Sequence, residues 1–167
     1  MRILGLDPGS VVLGYGLVDD AARVSLVDCG VIKASPRLPV EHRLAILFDG
    51  ICRLIETNKP DEVAIEEPFA GVNVRSAFMI GRAQALGMLA AARSGIPIAC
   101  YSPATVKQQV SGYGMGDKEQ VRSMVALELN TRNLPPENDA TDALAVALCH
   151  LHHLRANKLT SRVKRFT

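Results

Sequence analysis

Three β-rich runs follow one another closely at the amino end of this chain, and the strands after them are separated by helices. The runs span residues 2–6, 15–18 and 24–33. Short connections between such runs predict an antiparallel meander. Two further short strands are predicted at 62–65 and 96–101. The sequence therefore predicts an α/β domain with a mixed five-stranded sheet flanked by helices.

Apolar residues at helical spacing predict the helices of this domain. The predicted helices span residues 40–57, 74–93, 103–110, 118–129 and 139–155. Helix 74–93 has two apolar faces, one with Phe78, Met88 and Leu89 and the other with Leu86. Because one apolar face is enough for docking on a sheet, the second predicts contact with a second subunit.

Length and composition fit one domain over residues 1–155. The chain has 167 residues, of which 48% are hydrophobic, and this content is typical of a compact domain. The sequence has no apolar run of about 18 residues that would cross a membrane. Asp7-Pro8-Gly9 interrupts the first apolar run, so we expect no signal peptide. These features predict a soluble, cytoplasmic protein.

The four cysteines form no CxxC pair and are predicted to be reduced thiols. They are Cys29, Cys52, Cys100 and Cys149.

The net charge of +2 gives no support of its own for a nucleic-acid partner. If divalent metal neutralised four carboxylates, this balance would move from +2 to +6. Residues 156–167 are basic and contain no acid. We expect them to form a disordered tail that adds salt-sensitive attraction to phosphate.

Four acidic residues from three predicted elements are candidate metal ligands. Asp7 closes the first strand and Glu66 closes the fourth. If these strands are adjacent and parallel, their ends lie about 5 Å apart. Asp139 and Asp142 are three residues apart at a helix start, so they share one face. The alanines of that helix let it approach the sheet closely, and the four acids are therefore predicted to meet at one edge.

A cluster of carboxylates predicts hard cations, because the acids repel one another unless cations lie between them. Magnesium prefers oxygen ligands and keeps positions open for water and phosphate. Two such ions about 3.5–4 Å apart could activate a water and stabilise the leaving 3′ oxygen in phosphodiester hydrolysis. The sequence therefore predicts a nuclease with Mg²⁺ as cofactor and Mn²⁺ as a substitute.

Each acid taken alone has a simpler interpretation. Asp7 in Asp-Pro-Gly is typical of a turn start. Asp139 and Asp142 could complement the helix dipole, which is worth roughly 0.3–1 kcal/mol each. Glu66 could belong to an exposed strand end. An acid at the end of an apolar strand is disfavoured, yet both Asp7 and Glu66 occupy such positions. Their joint placement therefore favours the metal site.

Five motifs occur in order along residues 1–153. They are Asp7-Pro8-Gly9-Ser10 with Gly14-Tyr15-Gly16, residues 65–69 (IEEPF), Lys107-Gln108, Gly112-Tyr113-Gly114 ending at Lys118, and residues 139–145 (DATDALA). This ordered set resembles the RuvC-type Holliday-junction resolvases. The resemblance implies a ribonuclease H-like homodimer that resolves four-way DNA junctions by paired symmetric nicks with Mg²⁺, in recombination and repair. It also implies a partnership with the RuvA–RuvB branch-migration complex.

The resemblance also implies roles for individual residues. The family's catalytic acids match the four candidate ligands: Asp7, Glu66, Asp139 and Asp142. Lys107 and Lys118 match basic positions near the phosphates, and Phe69 matches an aromatic residue that stacks on bases near the branch point. Tyr113 is a second stacking candidate. The alternatives are a solvated helix-start lysine at position 118 and a core anchor at Phe69.

One stretch departs from the family pattern. Where the family usually has Gly-Gln-Ala-Arg-Gly, this chain has Gly81-Arg82-Ala83-Gln84-Ala85. The exchanged glutamine and arginine leave open a role for that arginine in junction contact or dimer packing, and the metal site is unchanged.

The histidines His150, His152 and His153 resemble metal ligands in their spacing. Without a nearby cysteine pair, a satisfied core or surface role is favoured.

Three other functions fit parts of the sequence. A sugar-kinase or actin-like nucleotide-binding domain also begins with an acid and glycines, as in residues 7–16, but it needs two related domains, and 167 residues supply one. A non-catalytic DNA-binding relative has no need of a repulsive acid cluster. A related nuclease acting on RNA or damaged DNA would carry the same acids.

Overall fold

The computed structural model describes residues 1–68, 74–112 and 117–163, without the side chains of 74, 75 and 161–163. The elements in chain order are β1 Arg2–Asp7, β2 Val12–Asp20, β3 Val24–Lys33, α1 Val40–Asn58, β4 Glu62–Glu66, α2 Val74–Arg93, β5 Ile98–Tyr101, α3 Pro103–Ser111, α4 Lys118–Glu128 and α5 Asn138–Val163. Within the described residues, no helix has both the length and the apolar character needed to cross a bilayer.

Strand β1 is the centre of a five-stranded sheet with the order β3-β2-β1-β4-β5. The first three strands pair antiparallel, as their short connections predicted. Strand β4 pairs parallel with β1, and β5 pairs parallel with β4. The predicted mixed sheet is therefore confirmed. Leu6 pairs with Ile65 between β1 and β4, so the next residues, Asp7 and Glu66, end adjacent strands at the same edge.

Helices cover both faces of the sheet and bury two hydrophobic cores. Helices α3, α4 and α5 pack on one face, where Ile3 and Ala64 meet Leu144 and Leu148. Helices α1 and α2 pack on the other face, where Leu6 belongs to the second core. The sheet is thus the middle layer, and its edge with the acids opens toward α5.

Glycines on the sheet allow α5 to pack against it at short distance. A Cβ atom at Gly5 would overlap the carbonyl oxygen of Ala143, and one at Gly14 would overlap that of Asp139. Residues Ala143 and Ala147 present a small surface in return. The close approach expected from the alanines of this helix is therefore present. It also depends on glycines of β1 and β2, which leave room for the helix backbone.

The carboxyl end of α5 differs from the prediction. The helix continues to Val163, so residues 156–163 are helical where the sequence predicted a disordered tail. Arg155, the residue before this extension, donates from Nη2 to Asp20 Oδ1 at the end of β2, at 2.6 Å. The remaining residues of the predicted tail, 164–167, lie outside the described part of the chain.

Strand β5 begins at Ile98, two residues later than predicted. The Ile96 N–H donates to the carbonyl of Ala91 and closes the turn after α2, so this residue is not available for pairing in the sheet.

Candidate active site

Asp7 and Glu66 lie side by side on the face of the sheet that α5 covers. Along β1, Ile3 belongs to the core on the α5 side, whereas Leu6 belongs to the opposite core. Because side chains alternate along a strand, Asp7 points to the same side as Ile3. The same alternation in β4 puts Glu66 on the side of Ala64. The two carboxyl groups are hydrogen-bonded to one another.

Helix α5 brings the second pair of acids to this edge. Gly14 pairs with Asp7 across β1 and β2, and its missing side chain leaves room for the backbone of Asp139. The start of α5 therefore lies over the end of β1. Asp142 follows about one helical turn later on the same face of the helix.

Asp7 lies within electrostatic reach of the other three acids. Burial, together with the nearby Glu66, Asp142 and Asp139, raises the pKa of Asp7 to about 8. The pKa of Glu66 is also raised, first by burial and then by Asp142. Like charges held this close disfavour ionisation. The structure thus brings together the four acids that the sequence selected.

Two lysines approach the acids from α3 and α4. The Lys118 Nζ atom lies 3.4 Å from Asp142 Oδ2, and Lys118 is the first residue of α4. Lys118 and Lys107 both act to lower the pKa of Glu66, against the larger effect of burial. Both lysines selected from the sequence therefore lie within electrostatic reach of the acids.

A cavity of about 200 Å³ lies among these charged side chains. Glu66, Lys107, Lys118 and Asp142 line it together with apolar groups from α3, α4 and α5, among them Val106. Apolar walls lower the local dielectric constant and so strengthen the attraction between the charges and a phosphate group.

The donor set fits a hard divalent cation, because all four candidate ligands are carboxylates. In the described part of the chain, no three acidic, histidine or cysteine side chains are already arranged around one ion position. Asp7 and Glu66 instead share a hydrogen bond, and Asp142 faces Lys118. Asp7, Glu66 and Asp142 would therefore exchange these contacts for contacts with the cation.

Comparison with known proteins identifies the family. The family model described as crossover junction endodeoxyribonuclease RuvC matches residues 3–150. The chain belongs to the RuvC family. A crossover junction endodeoxyribonuclease RuvC of Dehalococcoides mccartyi is 46% identical over 163 residues, which cover 97% of this chain and 99% of the relative.

Solved structures agree with membership of the RuvC family. The RuvC of T. thermophilus in complex with a Holliday junction substrate is 33% identical, with 94% of this chain and 96% of that chain covered and a TM-score of 0.88. The yeast mitochondrial Holliday junction resolvase is 11% identical, covers 99% of this chain and 86% of its own, and has a TM-score of 0.70. The second likeness concerns the fold alone. The predicted ribonuclease H-like fold is confirmed.

Membership of the RuvC family makes this chain an endodeoxyribonuclease of the crossover-junction type. Enzymes of this family are metal-dependent nucleases. The resemblance drawn from the motifs is therefore confirmed, and the nucleotide-binding alternative and the RNA-cleaving alternative are set aside.

Two residues selected for the RuvC-type site lie outside the described residues. These are Phe69 and Tyr113, the candidates for base stacking. The exchanged pair that departs from the RuvC pattern is described. Arg82 is exposed, and its Nη1 lies 3.5 Å from Met79 Sδ. Gln84 Nε2 lies 3.9 Å from Cys100 Sγ. The exchange thus puts the glutamine against the sheet and the arginine at the surface.

His150 and His152 have structural partners, as predicted, whereas the buried Nε2 of His153 has no hydrogen-bond partner among the described residues. His150 is buried, with Nδ1 2.7 Å from the Tyr101 hydroxyl and Nε2 2.8 Å from Glu62 Oε2. His152 Nε2 lies 2.7 Å from Glu128 Oε1. These contacts join α5 to β4, β5 and α4.

Sequence reasoning missed two features of the site. Gly14 was noted only as part of a motif, although a glycine inside a strand signals close approach of another backbone. Arg122, whose side chain contacts Thr141 in the acid-bearing turn of α5, gave no signal, because an arginine on a helix is ordinarily a solvated surface residue.

Proposed function

We propose that this RuvC-family endodeoxyribonuclease resolves four-way DNA junctions by paired symmetric nicks, with Mg²⁺ held by the acids at the sheet edge. The observation that carries the proposal is the convergence of two strand acids and two helix acids, which together with burial raises the pKa of Asp7 to about 8. The T. thermophilus relative, a RuvC in complex with a Holliday junction substrate, supports the choice of substrate. Because this substrate is DNA, the enzyme is proposed to act in the cytoplasm.

The proposed ligands are the same four carboxylates: Asp7, Glu66, Asp139 and Asp142. Mn²⁺ is the expected substitute for Mg²⁺, since it also prefers oxygen donors. When bound, two such ions supply an activated water and stabilise the leaving 3′ oxygen of a phosphodiester. The chain itself holds Asp7 and Glu66 on neighbouring strands and carries Asp139 and Asp142 on one turn of α5. Each pair of ligands is therefore held by regular secondary structure.

Lys107 and Lys118 are proposed to bind the phosphates on either side of the cut. Lys118 is 71% exposed, so it can reach a phosphate while staying near Asp142. An ammonium is a mobile point charge suited to this contact. Phe69 and Tyr113 are proposed to stack on unpaired bases near the branch point, since base stacking on an aromatic ring tolerates any sequence.

A homodimer is proposed because α2 presents a large apolar surface. Phe78 is 68%, Met88 42% and Leu89 51% exposed, whereas Ala83 and Ala90 on the same helix are buried. Contiguous exposed apolar side chains mark a protein interface. A second copy on this face provides two active sites, one for each nick. Delivery of the junction by a RuvA–RuvB complex is part of the same proposal.

The test uses a labelled four-way junction beside a linear duplex of the same arm sequence. We expect two symmetric nicks in the junction with Mg²⁺ and none with a chelator. Equal cleavage of the linear duplex would contradict the proposed substrate, and cleavage in the chelator would contradict the proposed metal.

A further inference from the structure

Arg122 connects α4 to the acid-bearing first turn of α5. Its Nη1 donates to Thr141 Oγ1 at 3.0 Å. Its Nη2 donates to the carbonyl oxygens of Pro135 at 2.9 Å and Leu134 at 3.3 Å. Thr141 is 3% exposed and directly precedes Asp142. One guanidinium therefore holds both the segment that leads into α5 and the turn that carries the acids.

The same helix carries the lysine of the site. Lys118 and Arg122 are four residues apart and so lie on one side of α4. Lys118 faces Asp142 at 3.4 Å, and Arg122 reaches Thr141, the neighbour of Asp142. The hydrogen bond from Arg122 to Thr141 thus joins α4 to the turn of α5 that carries the acids.

Arginine is the residue that suits this contact. Its acceptors are a hydroxyl and two carbonyl oxygens, which the two terminal nitrogens of a planar fork reach together, whereas a lysine would present its donors from a single nitrogen. A second polar link to the segment that leads into α5 is the ion pair of Lys33 and Glu137, at 3.8 Å with side chains 62% and 39% exposed. Exposed ion pairs contribute little. Arg122 is therefore a stronger polar link to this segment than the Lys33–Glu137 ion pair.

We propose that Arg122 is a positioning residue for the divalent-metal site, and that it orients Asp139 and Asp142 through the Thr141 hydroxyl. The inference rests on the proposed function of these two acids. Partners that orient metal ligands typically change metal affinity or activity by roughly 10–100-fold when they are lost.

The test compares Thr141→Val, which removes only the hydroxyl, with Thr141→Ser, which keeps it. Arg122→Lys, which keeps the charge but not the fork, is the second variant. Mn²⁺ binding to each full-length protein is followed by the loss of the free-ion electron paramagnetic resonance signal, and nicking is measured across a Mg²⁺ titration. We expect Thr141→Val and Arg122→Lys to need roughly tenfold more metal for half-saturation, and Thr141→Ser to keep the wild-type affinity.

Two results would overturn the inference. One is wild-type Mn²⁺ affinity in Thr141→Val and Arg122→Lys, even with a lowered melting temperature, because the contact would then be only structural. The other is an equal loss in Thr141→Ser, because the hydroxyl would then not be the cause. Asp142→Asn separates this inference from the proposed function. Wild-type Mn²⁺ binding and nicking in that variant would remove Asp142 from the metal site and so overturn the proposed function itself.

Discussion

Gly14 pairs with Asp7 across strands β1 and β2, and the space of its missing side chain is occupied by the backbone of Asp139. This relationship joins the acid that ends the central strand to the acid that begins the last helix. A side chain at position 14 would hold the sheet and the helix apart. The short distance between the strand acids and the helix acids therefore depends on the absence of a side chain at Gly14.

Gly14→Ala should destabilise the protein and weaken metal binding. The added methyl group overlaps the Asp139 backbone, and forced overpacking costs about 1–3 kcal/mol. Urea denaturation measures the loss. Gly81→Ala is the matched control, because a Cβ there meets nothing within 4 Å and alanine is favoured inside a helix. Similar losses of stability in the two variants would contradict the close packing of α5 on β2.

Stability without metal should fall as pH rises. Burial and the neighbouring acids raise the pKa of Asp7 from 3.8 to about 8. Between these values the folded protein keeps a proton that the unfolded chain has released, so each rise in pH favours unfolding. Asp7→Asn should reduce this dependence and melt at a higher temperature than wild type near pH 8 in chelator, by about 2–4 °C for each kcal/mol.

Thermal melts across the pH range test this expectation. Asp49→Asn, at an exposed position on α1, is the matched control and should follow the wild-type curve. A wild-type pH dependence in Asp7→Asn would show that Asp7 does not hold the extra proton.

Much of the fold was predictable because its signals are local. An apolar run that stops at Asp7-Pro8-Gly9 fixes the end of β1, and the same pattern of apolar residues followed by an acid fixes the end of β4 at Glu66. A spacing of three positions puts Asp139 and Asp142 on one face of a helix, whatever the helix packs against.

The rest depends on contacts between distant parts of the chain. Gly14 acts as a spacer only because α5 crosses β2 at that point; a glycine inside a strand signals the close approach of another backbone, but not which element approaches. The contact of Arg122 with Thr141 depends on the path of the segment between α4 and α5. The extension of α5 to Val163 is accompanied by the pairing of Arg155 with Asp20, residues that are far apart in sequence.

Lys107→Ala and Lys118→Ala should each weaken junction binding at low salt and reduce its salt dependence. Each phosphate contact that is lost releases about one counterion fewer, so the slope of log K against log salt falls by about 1. Binding measured across a salt series checks this. Arg23→Ala removes a charge from the exposed turn between β2 and β3 and should change the slope less. An unchanged slope in both lysine variants would exclude these side chains from phosphate contact.

Leu89→Lys should convert a dimer into a monomer. Leu89 is 51% exposed on the apolar face of α2, and a charge there disfavours burial against a second copy. Leu127→Lys is the control, because Leu127 is 71% exposed on α4, away from this face. Sedimentation equilibrium at micromolar concentration gives the masses. A monomeric wild-type protein, or dissociation in both variants, would contradict the assignment of α2 as the interface.

Nicking of a four-way junction by Asp7→Asn and Glu66→Gln at saturating Mg²⁺ tests the metal site most directly. We predict that both variants bind the junction with nearly wild-type affinity, since phosphate contacts dominate binding, and that neither cuts it. Glu67→Gln, which changes the exposed acid next to Glu66, should cut at the wild-type rate. Wild-type cleavage by Asp7→Asn or Glu66→Gln would show that the hydrogen-bonded acids at the sheet edge do not hold the metal.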